Sequence, residues 1–261
     1  TMYNGQDLRG WKGLVANPVK RRQLSADTLA LLQVKADEIM RSGWEAKGEE
    51  LHFTGHGDNL CSVKDYQDFE MYVDWKIEKD GDAGIYLRGS PQVQIWDISR
   101  TNVGAQVGSG GLYNNQINPR NPLKVADNPI NEWNTFRIIM KGERVTVYLN
   151  GELVVNDVLL ENYWDRKIPI FVKDAIELQA HGNHITYRNI YVRELSPEPT
   201  YQVSDQEKSE GFEAMFDGSS LFHWTGNTID YVPDSDTLFY RLFFTDLFTK
   251  KSKTQTLAVE E

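Results

Sequence analysis

Met71-Tyr72-Val73-Asp74-Trp75-Lys76-Ile77 alternates apolar and polar side chains without a break. Successive side chains of a strand point to opposite faces. Met71, Val73, Trp75 and Ile77 therefore share a buried face, and Tyr72, Asp74 and Lys76 the other. The same period recurs on either side. Gly84-Ile85-Tyr86-Leu87-Arg88-Gly89 is a short strand between glycines, and Val93-Gln94-Ile95-Trp96-Asp97 follows Ser90-Pro91. Residues 133–141 and 144–150 predict a hairpin around Gly142-Glu143, and Asn150-Gly151 is a tight-turn pair. Residues 176–181 and 185–194 complete the strand set. Many short strands joined by Gly and Asn turns predict an all-β sandwich, of jelly-roll type. One helix interrupts it near the N-terminus, over residues 25–41. Ser25 is its N-cap, and Leu29, Leu32, Ala36, Ile39 and Met40 recur at helical spacing.

The chain of 261 residues carries 38 acidic against 28 basic side chains, a net charge of -10. It lacks the basic footprint that nucleic-acid binding needs. Lys20-Arg21-Arg22 reads as a solvated helix face. No stretch approaches the roughly 18 apolar residues of a membrane span. The opening Thr1-Met2-Tyr3-Asn4-Gly5 reads as a trimmed start without a leader. Cys61 is the single cysteine and reads as a small buried hydrophobe. No HExxH, cysteine pair or calcium loop appears, and no metal or cofactor is expected. Aromatics are numerous, with 7 Trp, 12 Tyr and 11 Phe. They suit a sheet protein, and they suit a surface that stacks on sugar rings.

Residues 3–13 and 216–226 share one pattern: aromatic, Asn or Asp, Gly, then Leu, Trp and Gly at equal spacing. That predicts an internal repeat. The first unit would span 1–196 and a polar, proline-bearing linker 197–215. Residues 216–261 would be the truncated start of a second copy or a loose tail, because strand alternation fades after Leu238.

Alternation also says which side chains share a surface. With Ile85, Leu87, Val93, Ile95, Ile176 and Leu178 facing the core, three polar or aromatic rows face the other way. They are Tyr86 and Arg88; Gln92, Gln94 and Trp96; and Glu177, Gln179 and His181. Amides, rings and a guanidinium suit planar hydrogen bonding and stacking. If the strands are neighbours, the rows line one hollow. The glycine-rich loop 108–115 carries Tyr113 over it.

Several of these segments resemble the 3-keto-disaccharide hydrolase family. They are Asn4-Gly5-x-x-Leu8-x-x-Trp11, the strands 84–89 and 93–97, Gly111-Leu112-Tyr113, Glu132 to Arg137, Leu149-Asn150-Gly151 and Leu178 to Gly182. The resemblance covers about residues 3–195. It implies a concanavalin A-like jelly roll in an exported or cell-envelope protein acting on a carbohydrate partner, an oxidised glycoside. It further implies cleavage of the glycosidic bond by elimination, since a C3 carbonyl acidifies the C2 proton. On that reading His181 or Glu177 is the base, and Arg88 and Gln94 stabilise the enolate oxygen. Tyr113 or Lys124 protonates the leaving group. Tyr86, Gln92, Trp96 and Gln179 bind the substrate, Trp96 or Tyr86 by stacking. Many family members carry Glu where this chain has Gln92. The paired-carboxylate strand of retaining glucanases is absent. The alternative is a non-catalytic carbohydrate-binding module using the same face.

Overall fold

The computed structural model describes residues 1–196, 203–213 and 224, and the backbone of Tyr231–Asp234, Thr237–Thr245 and Ser252–Ala258. It groups 1–165 with 170–195 in one compact unit, and 166–169 with 196–261 in another.

In the first unit, β1 (Trp11–Gly13) precedes a one-turn helix α1 (Pro18–Arg21) and a long helix α2 (Ala26–Gly43). Strands β2 (Trp44–Lys47), β3 (Glu50–Phe53), β4 (Leu60–Tyr66) and β5 (Phe69–Ile77) follow. Next come β6 (Asp82–Leu87) and β7 (Ser90–Trp96), then a long loop with two 3-10 turns. Strands β8 (Asn134–Lys141), β9 (Arg144–Leu149), β10 (Glu152–Leu159), β11 (Asp174–Leu178) and β12 (Ile185–Glu194) complete the unit. One sheet runs β1-β4-β11-β6-β7, the other β10-β9-β8-β5-β12-β3-β2, and every pairing is antiparallel. The two sheets share a hydrophobic core, so the fold is a jelly-roll β-sandwich.

The strand β5 shows how its sequence dictates this. Phe69, Met71, Val73, Trp75 and Ile77 are all buried, packed toward the facing sheet. Glu70 and Asp74, on the outer face, are nonetheless buried because hydrogen-bond donors, mostly arginines, cover them. Arg137 and Arg193 bind Glu70, and Arg188 and Asn189 bind Asp74.

Helix α2 starts where expected, with the Ser25 hydroxyl accepting from the Thr28 N–H. Its packed face is narrower than the apolar spacing implies. Ala36 and Met40 are buried, whereas Leu32 is exposed. Close approach explains this. A Cβ at Gly13 would lie 2.0 Å from the Ala36 carbonyl oxygen, so only glycine lets β1 touch the helix there. Asp37 accepts the Gly13 N–H at 2.9 Å, and the Gln33 amide donates to the Gly13 carbonyl at 2.9 Å. Gly13→Ala must separate the two elements. It is expected to lower stability by about 1–3 kcal/mol, read as a fall in the denaturation midpoint.

Two basic residues correct the sequence reading. Arg21 and Arg22, expected on a solvated face, both grip Asp174 at the start of β11, at 2.7 and 2.6 Å. Arg22 also stacks 3.6 Å above the Phe171 ring. These contacts fasten the α1 segment to the start of the central strand of the smaller sheet.

In the second unit, α3 (Asp205–Ser209) carries a complete capping box between Ser204 and Glu207. Strands β13 (Tyr231–Asp234), β14 (Thr237–Thr245) and β15 (Ser252–Ala258) form an antiparallel sheet in that order. Strands therefore continue past Leu238, where the apolar-polar alternation fades. The run 238–244 is rich in Leu, Phe and Tyr, and strands tolerate such runs without alternation. The repeated opening at 216–226 lies outside the described residues, Trp224 excepted.

Candidate functional site

The outer face of the smaller sheet is hollowed where β6, β7 and β11 meet. Register explains what collects there. Gly84 pairs with Gln94, Asp82 with Trp96, and Glu177 with Tyr86, so these side chains project from the same face. Gln179 follows, its N–H donating to the Gly84 carbonyl at 2.9 Å. Gly84 is the floor. A Cβ there would lie 3.1 Å from Gln179 Oε1 and 3.1 Å from Gln92, so the missing side chain lets two amides converge from neighbouring strands.

The cavity above this floor measures about 420 Å³, within the roughly 300–1,000 Å³ of small-molecule sites. Its polar lining includes Asp82, Gln92, Gln94, Gln179 and His181. Aromatic walls rise on two sides. Trp96 meets Tyr113 edge-on at 5.4 Å, and Tyr163 meets Trp164 edge-on at 4.9 Å. Each wall is pinned. The Trp96 indole donates to the Gly108 carbonyl and the Trp164 indole to that of Gly89, both at 2.8 Å. Asn115 and Glu161 fix the loop below Tyr113. The Asn115 amide donates to the Leu159 carbonyl, and the Glu161 carboxylate accepts the N–H groups of Gln116, Ile117 and Asn118.

Asp82 organises the polar wall. Its carboxylate accepts from Gln94 Nε2 and from Arg100, each at 2.8 Å, and lies 3.9 Å from His181 Nδ1. Gln94 in turn accepts from Gln92 Nε2. The Gln94 amide also donates to the Ile95 carbonyl at 3.1 Å, so both of its N–H groups are engaged. It therefore holds its neighbours in place instead of meeting an enolate.

Of the residues expected to cluster, Tyr86, Gln92, Gln94, Trp96, Tyr113, Gln179 and His181 all line this one cavity. Three do not. Arg88 points into the interior, 2% exposed, and donates to the Val172 carbonyl at 2.8 Å and to Met140 Sδ. Strand β6 ends at Leu87 and Arg88 itself has φ +50 in the turn that follows, so simple alternation does not extend to it. Lys124 is exposed and paired with Glu152 away from the pocket lining.

Glu177 shares the face but is sealed beneath it, 1% exposed, taking one hydrogen bond from Asn59 Nδ2 at 2.9 Å. Its other oxygen has no hydrogen-bond partner among the described residues. Burial raises its carboxyl to about 7, against the pull of Asn59 and Arg21. Tyr86 beside it is pushed up to about 12, by burial first and then by the Glu177 charge, while the amides of Asn59 and Gln179 oppose this. A raised carboxyl pKa means the folded state keeps a proton that the unfolded chain releases above its ordinary value of 4.5. That contribution is complete below pH 4.5 and lost as pH rises through about 7. Glu177→Gln keeps the acceptor for Asn59 without the charge. It is expected to exceed the parent in stability by about 3 kcal/mol at pH 8. The difference should fade toward pH 5, as denaturation midpoints across that range would show.

Asp82, Arg100, Asn114, Tyr163 and Trp164 line the cavity without having been expected there. Asp82 was legible, since carrying the β6 alternation back from Tyr86 through Gly84 reaches it. Tyr163 and Trp164 follow an Asn162 turn in a loop, where no period applies.

The family model described as the 3-keto-alpha-glucoside-1,2-lyase-like domain matches residues 1–193. A 3-keto-disaccharide hydrolase of Bacteroides thetaiotaomicron is 22% identical over 242 residues, covering 75% of this chain and 78% of that protein. Two crystal structures of candidate glycosyl hydrolases from Parabacteroides distasonis share the fold. One is 23% identical with a TM-score of 0.56, covering 74% of this chain and 82% of its own. The other is 20% identical with a TM-score of 0.54, covering 75% and 93%.

Proposed function

Because the chain belongs to the 3-keto-alpha-glucoside-1,2-lyase-like family, we propose that this pocket cleaves the glycosidic bond of 3-keto-glycosides, by elimination through the C2 proton. The observation that carries the reading is the gathering of His181, Tyr86 and Tyr113 around one cavity with aromatic walls.

The C3 carbonyl makes the C2 proton acidic enough for a modest base. His181, half-exposed at the cavity wall with Asp82 behind it, takes that proton. The C–H electron pair forms a C2=C3 bond and places charge on the C3 oxygen. The Tyr86 hydroxyl donates to that oxygen in place of Arg88, which faces the interior. Return of the charge restores the carbonyl, builds a C1=C2 bond and expels the oxygen at C1. Tyr113 is placed to protonate the departing oxygen. Addition of water across the C1=C2 bond gives the overall products of hydrolysis.

Incubating the protein with 3-keto-glucosides and following aglycone release tests the reading. Release, with a transient unsaturated sugar absorbing in the ultraviolet, is expected. Saturable binding without release instead assigns the cavity to a carbohydrate-binding module, which its paired aromatic walls also suit. An exported or envelope location belongs to the same proposal, and fractionation of the source cells checks it.

A further inference from the structure

We infer that Gln92 and Gln179 form a pair of hydrogen-bond acceptors that reads two sugar hydroxyls at the cavity floor, turning the keto oxygen away toward the phenol of Tyr86. The inference rests on the proposal that a sugar occupies this cavity, and it concerns orientation and specificity within it.

The polarity of the floor follows from Asp82. An ionised carboxylate only accepts, and Arg100 only donates, so their 2.8 Å contact fixes one end of a hydrogen-bond chain. Gln94 must turn its NH2 toward Asp82, which leaves its Oε1 as an acceptor. Gln92 must then turn its own NH2 toward Gln94. The carbonyl of Gln92 is the end of the chain, and no hydrogen bond to it occurs among the described residues.

Gln179 reaches the same place from the opposite strand. It is 8% exposed, and its Oε1 is buried without a hydrogen-bond partner among the described residues. That oxygen lies 3.1 Å from the position a Gly84 Cβ would take, and the Gln92 side chain lies at the same distance. The Gln179 carbonyl oxygen and the amide-bearing end of Gln92 thus meet over one glycine in a cavity large enough for a sugar. A buried acceptor without a donor is costly, and a ligand hydroxyl removes the cost. A ketone cannot, since it too is only an acceptor. The hydroxyl-bearing edge of the ring belongs at the floor, and the ketone belongs where a hydroxyl or an imidazole can donate.

Methyl glucoside, which lacks the keto group and cannot react, isolates this claim from catalysis. Its affinity and those of its 2-, 4- and 6-deoxy analogues are to be measured by calorimetry. Two of the three analogues are expected to bind about 5–10-fold more weakly than the parent, the worth of one neutral hydrogen bond each. Gln179→Met should abolish the penalty at one of those positions, and Gln92→Met at the other. Gln179→Glu, which keeps an acceptor and loses the donors, should retain discrimination.

A flat deoxy profile overturns the inference while leaving glycoside cleavage standing. So does loss of discrimination in Gln179→Glu equal to that in Gln179→Met, since the contact would then be a donor. If the folded protein binds neither methyl glucoside nor a 3-keto-glucoside, the inference and the proposed function fall together. Discrimination without any cleavage supports the pair and removes the catalytic reading.

Discussion

Arg88→Met is expected to cost about 3–5 kcal/mol of stability, the loss seen when one partner of a buried charge pair is removed. The guanidinium is held in the interior by the carbonyls of Phe171 and Val172, by Met140 Sδ, and by Asp68 at 3.7 Å. Burial lowers its pKa to about 10, with Asp68 and Glu143 opposing, yet it remains charged at neutral pH. Methionine fills much of the volume but takes the guanidinium away from the buried Asp68 carboxylate, which keeps the Gly142 N–H. The two carbonyls also lose their donor. Asp68→Asn in the same background removes the charge that faced Arg88, so the double variant should lose less than the sum of the singles. Urea denaturation of the four proteins gives that coupling directly. An additive result would mean that the 3.7 Å separation carries no useful attraction. Below the unfolding midpoint, glycoside cleavage by Arg88→Met should match the parent, because no part of Arg88 enters the cavity.

Arg88 also marks where sequence alone stops informing. Alternation placed Tyr86, Gln92, Gln94, Trp96, Gln179 and His181 on one face because those strands are regular where they meet. It failed at Arg88 because β6 ends at Leu87 and Arg88 already sits in the turn with φ +50, and nothing in the strand's pattern announces where the strand stops. Glu177 illustrates a different limit. Its face was legible, but its burial depends on Asn59 and the neighbouring strand β4, which come from distant sequence. Arg21 and Arg22 looked solvated because their partner, Asp174, lies about 150 residues away. Helix α2 was found with its cap, yet which of its apolar residues are covered was set by Gly13, a residue outside the helix. Local periodicity thus predicted elements and faces. Strand ends, depth and long-range ion pairs required the assembled sheet.

His181→Ala is expected to lower kcat on 3-keto-glucosides by about 10²–10⁴, the usual contribution of a positioned general base. Michaelis constants should move little, because the aromatic walls and the floor amides remain. Its neighbour separates a base from a bystander. Asp82→Asn removes the charge facing His181, but it also breaks the contacts with Gln94 and Arg100 that set the floor. That variant should therefore raise KM and lower kcat together, whereas His181→Ala affects kcat alone. A wild-type rate in His181→Ala would remove the imidazole from proton abstraction. The base would then have to be sought among the remaining polar groups of the wall. Glu177 is a poor substitute while it stays sealed, since a base must come within hydrogen-bonding distance of the proton it takes. Exchange of the C2 proton into deuterated water resolves the step itself. The parent should wash label into recovered substrate or product, and His181→Ala should slow that exchange by the same factor as aglycone release. Exchange that persists while release fails would place His181 at the departing oxygen, as the acid in place of Tyr113.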